Sequence, residues 1–256
     1  MKAVILAGGL GTRLSEETFV QPKPMVEIGG LPVLWHILKI FSRYGINDFV
    51  ICAGYKGHMI TEWLSNYRLR TADVAFDFRN GELEYLSAVT EDWRVTVVHT
   101  GEKSMTGGRL KRVRDYIDDT FLFTYGDGLA DIEIDDLVAF HRREARQATM
   151  TVVQPPGRFG AVTLREGQTS IDRFKEKPMG DGAWVNGGFF VLEPEVIDRI
   201  EGDATVWEDE PLQSLAHDGE LGAYRHTGFW QPMDTLRDKM LLESIWDTGG
   251  APWKCW

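Results

Sequence analysis

The chain has 256 residues, of which 43% are hydrophobic and 26% charged, a balance that suits a folded globular protein and is too apolar for a disordered one. Lys and Arg number 28 against 39 Asp and Glu, for a net charge of −11, which excludes a general binder of nucleic acids or anionic membranes, since those partners need a basic face. An anionic small molecule remains compatible, provided one pocket gathers local positive charge. Two cysteines, Cys52 and Cys255, give neither a disulfide framework nor a zinc spacing. Two reduced thiols in a cytoplasmic protein are expected. The opening MKAVILAGGLGTR turns to glycine and arginine where a signal peptide would continue its apolar core, and no apolar run approaches the roughly 18 residues of a membrane span.

Residues 2–7 (KAVILA) read as a buried strand running straight into a glycine-rich turn. Over 31–44, Leu34, Leu38 and Phe41 recur at helical spacing, with Pro32 near the start and Gly45 just past the end. DFVICAGY at 48–55 is the next buried strand, and a short helix near 57–66 follows it. Strand and helix alternating with short connections argue for a parallel sheet covered by helices on both faces. Within 74–86 two alternating runs flank Asn80-Gly81, a hairpin signal. Strands over 94–101 and 121–127 enclose a basic helical stretch at 108–117. Asp135 and Asp136 open a helix over 135–146 whose positive residues lie towards its end, as the helix dipole prefers. From 148 to 192 the segments are strand-like, broken by PPGRFG, REGQ and GDG, and a final helix spans 234–247. There is no repeat or low-complexity linker. The fold class expected is α/β, as one domain with a β-rich elaboration in its second half.

The first strand ends in Ala7-Gly8-Gly9-Leu10-Gly11-Thr12-Arg13. Such a loop lets backbone N–H groups face a phosphate without side-chain collision. It is not a dinucleotide fingerprint, because Leu14 stands where Gly or Ala is needed. It is not a Walker loop either, because the chain contains no Gly-Lys dipeptide. Lys23 follows between Pro22 and Pro24, whose rings stiffen the backbone and aim its ammonium. Arg13 and Lys23 together can neutralise a triphosphate and the pyrophosphate charge that develops when it is cleaved. A hard cation bridging phosphate oxygens would relieve the repulsion between two anionic reactants, and Mg2+ typically takes one or two protein carboxylates. Asp127, after the apolar strand FLFTYG, and Asp234, in the turn QPMDT, suit that role. Asp131 is left as a ribose contact or as the cap of the helix at 135. None of the six histidines forms a nucleophilic constellation, and His36 reads as a packed core residue.

LAGGLGTRL followed by PKPMVEIGGLP resembles the signature of the sugar-1-phosphate nucleotidyltransferases. SMTGGRLKR, TYGDGLAD, PPGRFGA, EKPMGDGAWVNGGFFVL and GFWQPMDTLRD are similar to one branch of that family, the glucose-1-phosphate cytidylyltransferases, which supply CDP-glucose for bacterial surface dideoxyhexoses of lipopolysaccharide O-antigen. The resemblance covers essentially the whole chain. It implies a Rossmann-like three-layer sandwich with a mainly parallel, mixed central sheet. The nucleotide-binding part would be about 1–130, and the sugar-binding and oligomer-contact part 131–256. It implies CTP and glucose 1-phosphate as substrates, Mg2+ on Asp127 and Asp234, and Arg13, Lys23 and Asp127 as catalytic residues. The nucleotide would lie against Leu6, Ala7, Gly8, Gly9, Gly11, Thr12, Arg13, Lys23, Ser104, Thr106, Gly108, Arg109 and Gly126. Glu176, Lys177, Asn186 and Gly187 would hold the sugar phosphate. Of the basic residues Arg109, Lys111, Arg112 and Arg114, most are expected to be solvated. A cytoplasmic homohexamer is implied, with the Asn80-Gly81 hairpin and the tail residues Trp253 and Trp256 as contact surfaces. A uridylyl- or thymidylyltransferase using the same residues, and a non-catalytic sugar-nucleotide sensor, are the alternatives.

Overall fold

Apolar side chains on both sides of the early strands require a sheet that is covered twice. In the strand Lys2–Ala7, Ala3, Ile5 and Ala7 enter one core cluster, and Val4 and Leu6 the other. The strand Asp48–Ala53 divides in the same way, with Phe49 and Ile51 opposite Val50 and Cys52. A computed structural model describes residues 1–87, 91–155, 161–165, 171–175 and 183–256.

Seven strands form the main sheet, in the order Leu221–Arg225, Ala148–Val153, Val185–Leu192, Phe121–Tyr125, Lys2–Ala7, Asp48–Ala53 and Arg94–His99. Six of them run parallel; Val185–Leu192 is antiparallel to both its neighbours. The helices Val33–Ser42 and Leu236–Asp247 contribute to the first core cluster, and Thr106–Arg112 and Glu210–His217 to the second. The architecture is the expected three-layer α/β sandwich with a mostly parallel sheet. Strands from before and after residue 130 share that one sheet. Among the described residues four short antiparallel pairs add to it: Glu27–Ile28 with Leu31–Pro32, the hairpin Val74–Asp77 with Glu82–Tyr85, Gly128–Ala130 with Trp230–Pro232, and Ala161–Leu164 with Ile171–Lys175. The helix expected over 135–146 runs Ile134–Glu144, and its N-cap is Glu133 rather than Asp131. Among the described residues no helix is long and apolar enough to cross a membrane.

His36 is fully buried, as its apolar surroundings suggested. The Trp253 indole N–H donates to Nδ1 at 3.3 Å, which leaves Nε2 to carry the proton facing the Ile28 carbonyl at 2.9 Å. Trp253 is itself fully buried, and Trp256 packs edge-on to Trp35 at 5.4 Å between centroids. The tryptophan tail therefore closes this core, which corrects the expectation that Trp253 offers a contact surface. Burial pushes the His36 imidazole down from 6.5 to about 4. Because the folded pKa is the depressed one, this contribution is present above pH 6.5 and is lost as pH falls towards 4, on the order of 3 kcal/mol. Denaturant midpoints followed across that window should decline in the wild-type chain and decline less steeply in His36→Gln; equal slopes would remove His36 from the acid transition.

Candidate active site

Three residues far apart in the chain meet beyond the carboxyl ends of the central parallel strands, where open α/β sheets bind ligands. Asp127 follows the strand Phe121–Tyr125. Lys23 opens a 3-10 turn, Lys23–Met25, with Pro24 at its first turn and Pro22 extended before it at φ −70°. Asp234 precedes the helix Leu236–Asp247, whose start is set by a capping box between Thr235 and Asp238. The pairing of Trp230–Pro232 with Gly128–Ala130, and the bond from Met233 N to Asp127 O at 2.9 Å, bring the Asp234 turn against Asp127.

The Lys23 ammonium donates to Asp127 Oδ2 at 2.5 Å and to Asp234 Oδ1 at 2.7 Å. Arg13 reaches the other oxygen of Asp234 at 2.9 Å and is otherwise largely exposed. Burial by itself would lower the pKa of Lys23, but the two carboxylates outweigh it and leave the value raised above 10.5. Lys23 is therefore a fixed cation. In the glycine-rich loop Gly11 adopts φ 63°, and a Cβ there would meet Thr18 Cγ2 at 2.6 Å, so the turn requires glycine.

One cavity of about 600 Å³ gathers Leu6, Ala7, Gly9, Gly11, Thr12, Arg13, Lys23, Thr106, Gly126, Asp127, Asn186 and Asp234 from the residues singled out by sequence. Gly187 lines a small recess beside it. Gly8 belongs to the loop, but its carbonyl faces backwards, accepting from Tyr55 N at 3.2 Å. Glu176 and Lys177 lie outside the described residues. A second recess of about 630 Å³ opens beside the edge strand between Tyr67, Arg68 and Trp93. Its carboxylate, Glu91, is already committed to Lys39 and Tyr67, so the chemistry concentrates in the first cavity.

Ser104, Gly108 and Arg109 lie outside the lining of that cavity. Ser104 is buried and donates to Thr100 O. The Arg109 guanidinium is buried beneath the loop, where it donates to Gly8 O at 2.9 Å, Gly101 O at 2.7 Å and Thr100 Oγ1 at 2.9 Å. It braces the loop from behind. Burial lowers its pKa from the ordinary guanidinium value. Its neighbours are exposed, as expected, and make surface contacts: Lys111 donates to the Ile200 and Glu201 carbonyls, Arg112 forks onto Asp203, and Arg114 pairs with Asp198. Asp131 sits with Oδ1 at 3.1 Å from His226 Nε2 and caps no helix.

Sequence reasoning missed Tyr125, Glu208 and Trp230, which also line the cavity. Tyr125 OH donates to Glu208 Oε1 at 2.5 Å, Thr106 Oγ1 donates to Glu208 Oε2 at 2.6 Å, and Asn186 Nδ2 donates to the Tyr125 oxygen at 3.0 Å. Burial first, and the Glu208 charge second, raise the Tyr125 pKa, so its proton stays on the phenol. In WEDEPL nothing separates Glu208 from Asp209 and Glu210, which read equally well as acids at a helix start.

This arrangement defines a class. The Nucleotidyl transferase family matches residues 2–230, and the chain belongs to that family. It is 60% identical to the glucose-1-phosphate cytidylyltransferase of Salmonella typhimurium, and 60% identical to that of Salmonella typhi, over 100% of both chains in each case. A solved UDP-glucose pyrophosphorylase in complex with UDP-glucose superposes with a TM-score of 0.69 over 97% of this chain and 98% of its own, at 14% identity. At that identity the likeness shows the fold alone.

Gly107 and Gly108 are explained by packing. A Cβ on Gly108 would lie 2.4 Å from Asp203 O, and one on Gly107 2.8 Å from Thr205 O. Backbone cannot move aside as a flexible side chain can, so Gly108→Ala should cost about 1–3 kcal/mol of stability. A thermal melt checks this, and an unshifted midpoint would contradict the packing role.

Proposed function

We propose that the chain transfers a cytidylyl group from CTP to glucose 1-phosphate, releasing CDP-glucose and diphosphate. The observation that carries the reading is the full-length 60% identity with the Salmonella enzymes, and the cavity chemistry supports it. A phosphate oxygen of the sugar phosphate attacks the α-phosphorus of CTP, that new P–O bond forms, and the bond to the bridging oxygen of the β-phosphate breaks, so that diphosphate leaves with its electron pair. No protein nucleophile is required. Among the described lining residues there is no Cys, His or Ser, and Cys52 is fully buried, with burial pushing its thiol up to about 12. The barrier is repulsion and alignment between two anions, which fixed cations and a rigid cavity reduce.

The described lining residues hold two cations, Arg13 and Lys23, against three carboxylates, Asp127, Glu208 and Asp234. A triphosphate and a sugar phosphate add further negative charge, so an additional cation must enter with them. Among the described residues no group of three or more His, Cys, Asp or Glu could hold a metal. The paired carboxylates of Asp127 and Asp234, converging on one ammonium, nevertheless fit Mg2+, which takes one or two protein carboxylates and leaves its other positions to phosphate and water. Bound there, Mg2+ would supply charge neutralisation of phosphate oxygens. Lys23 and Arg13 would then turn from the carboxylates to the phosphates. Asn186 and Gly187, with Glu176 and Lys177, would take the sugar phosphate, and the loop from Leu6 to Thr12 the nucleotide.

The proposal extends to a cytoplasmic homo-oligomer, a hexamer, feeding bacterial surface-sugar synthesis. Exposed Phe76 and Phe78, stacked at 6.2 Å on the hairpin, support contact between copies.

Diphosphate release measured with CTP, UTP, dTTP and GTP at saturating glucose 1-phosphate should show CTP far ahead, and chelation of divalent ions should stop it. Asp127→Asn should lose about 100-fold or more in kcat while still folding. Equal use of the four nucleotides would overturn the cytidylyl assignment, and full activity in Asp127→Asn would remove that carboxylate from the mechanism.

A further inference from the structure

Glu208 stands where the segment before the helix Glu210–His217 crosses the start of the helix Thr106–Arg112. The crossing is held by backbone: Met105 N donates to Asp203 O at 2.8 Å and Gly108 N to Thr205 O at 3.1 Å. Trp207, fully buried, donates its backbone N–H to Thr106 Oγ1 at 2.9 Å. Glu208 is delivered into the cavity by this frame, and each of its oxygens receives one hydroxyl, from Thr106 and from Tyr125.

An ionised carboxylate only accepts hydrogen bonds. Both hydroxyl protons are therefore drawn to Glu208, and neither Thr106 nor Tyr125 has a proton left for a ligand. The phenol oxygen, with its proton committed, accepts from Asn186 Nδ2, while Asn186 Oδ1 accepts from Gly188 N at 2.8 Å. These two bonds fix which end of the Asn186 amide points which way. The second N–H of Nδ2 remains a donor directed by this chain of bonds, and Asn186 lines the cavity.

We propose that Glu208 is a positioning residue for sugar recognition: through Tyr125 it sets the Asn186 amide so that an N–H donor meets a hydroxyl oxygen of the sugar phosphate. The inference deepens the functional reading above and rests on it. Each Glu208 oxygen is already taken by a protein hydroxyl, so its effect falls on recognition of the sugar and not on the displacement at phosphorus. With Glu208→Gln the amide must donate to one of the two hydroxyls, and that hydroxyl turns its proton elsewhere. The order of donors and acceptors is then broken while the shape is kept.

The test is steady-state kinetics on the full-length chain with CTP and glucose 1-phosphate, for wild type, Glu208→Gln, Tyr125→Phe and the double variant. Both single variants should raise KM for glucose 1-phosphate about tenfold or more, with kcat and the KM for CTP changed much less, since each removes a bond that orients the Asn186 donor. In the Tyr125→Phe background Glu208→Gln should add little, because both act through one bond. The variants should also discriminate less well between glucose 1-phosphate and its epimers. If Glu208→Gln melts early, Tyr125→Phe alone carries the same expectation. An unchanged KM for glucose 1-phosphate in folded Tyr125→Phe or Glu208→Gln, or fully additive losses in the double variant, would overturn the inference and leave the activity standing. A wild-type chain that releases no diphosphate would instead overturn the functional reading and this inference with it.

Discussion

The Lys23 ammonium, held between Asp127 and Asp234, is the interaction on which the site depends. Its partners lie 104 and 211 positions away in the chain, so the contact forms only when the sheet, the glycine loop and the C-terminal turn are all in place. At an effective dielectric near 20, a pair of opposite unit charges about 4 Å apart attracts by roughly 4 kcal/mol. Much of that gain is offset by desolvating three partly buried groups. The arrangement is therefore a poor source of stability and a concentration of charge: two carboxylates held close together on one ammonium.

The same reasoning explains how so acidic a chain suits anionic substrates. Its net charge of −11 bears little on the cavity, where charge is placed by position. Arg13 at the mouth is mostly exposed and can reach a ligand, whereas Arg109 is withdrawn beneath the loop and spends its donors on protein oxygens. Two arginines of one chain thus serve different ends, one electrostatic and one architectural, and burial separates them.

Those elements whose character is local were legible in the sequence. The two-sided apolar strands, the Asn80-Gly81 hairpin, the helix start at Pro32 and the glycine loop each follow from neighbouring residues. Lys23 between its prolines, and Asp127 at a strand end, were legible for the same reason. The packing around Gly108 and Arg109 was not legible, because it is made by residues roughly a hundred positions distant. The same distance hid Glu208: its meaning is its bonds to Thr106 and Tyr125, and nothing next to it in the chain announces them.

Mn2+ binding to the ligand-free chain, read by electron paramagnetic resonance for wild type and Lys23→Met, tests the central claim most directly. If the ammonium occupies the place of a divalent cation between Asp127 and Asp234, Lys23→Met should bind Mn2+ about tenfold tighter or more without nucleotide, since the variant removes the positive charge that competes with the metal for the two carboxylates. Unchanged or weaker binding in that variant would contradict it.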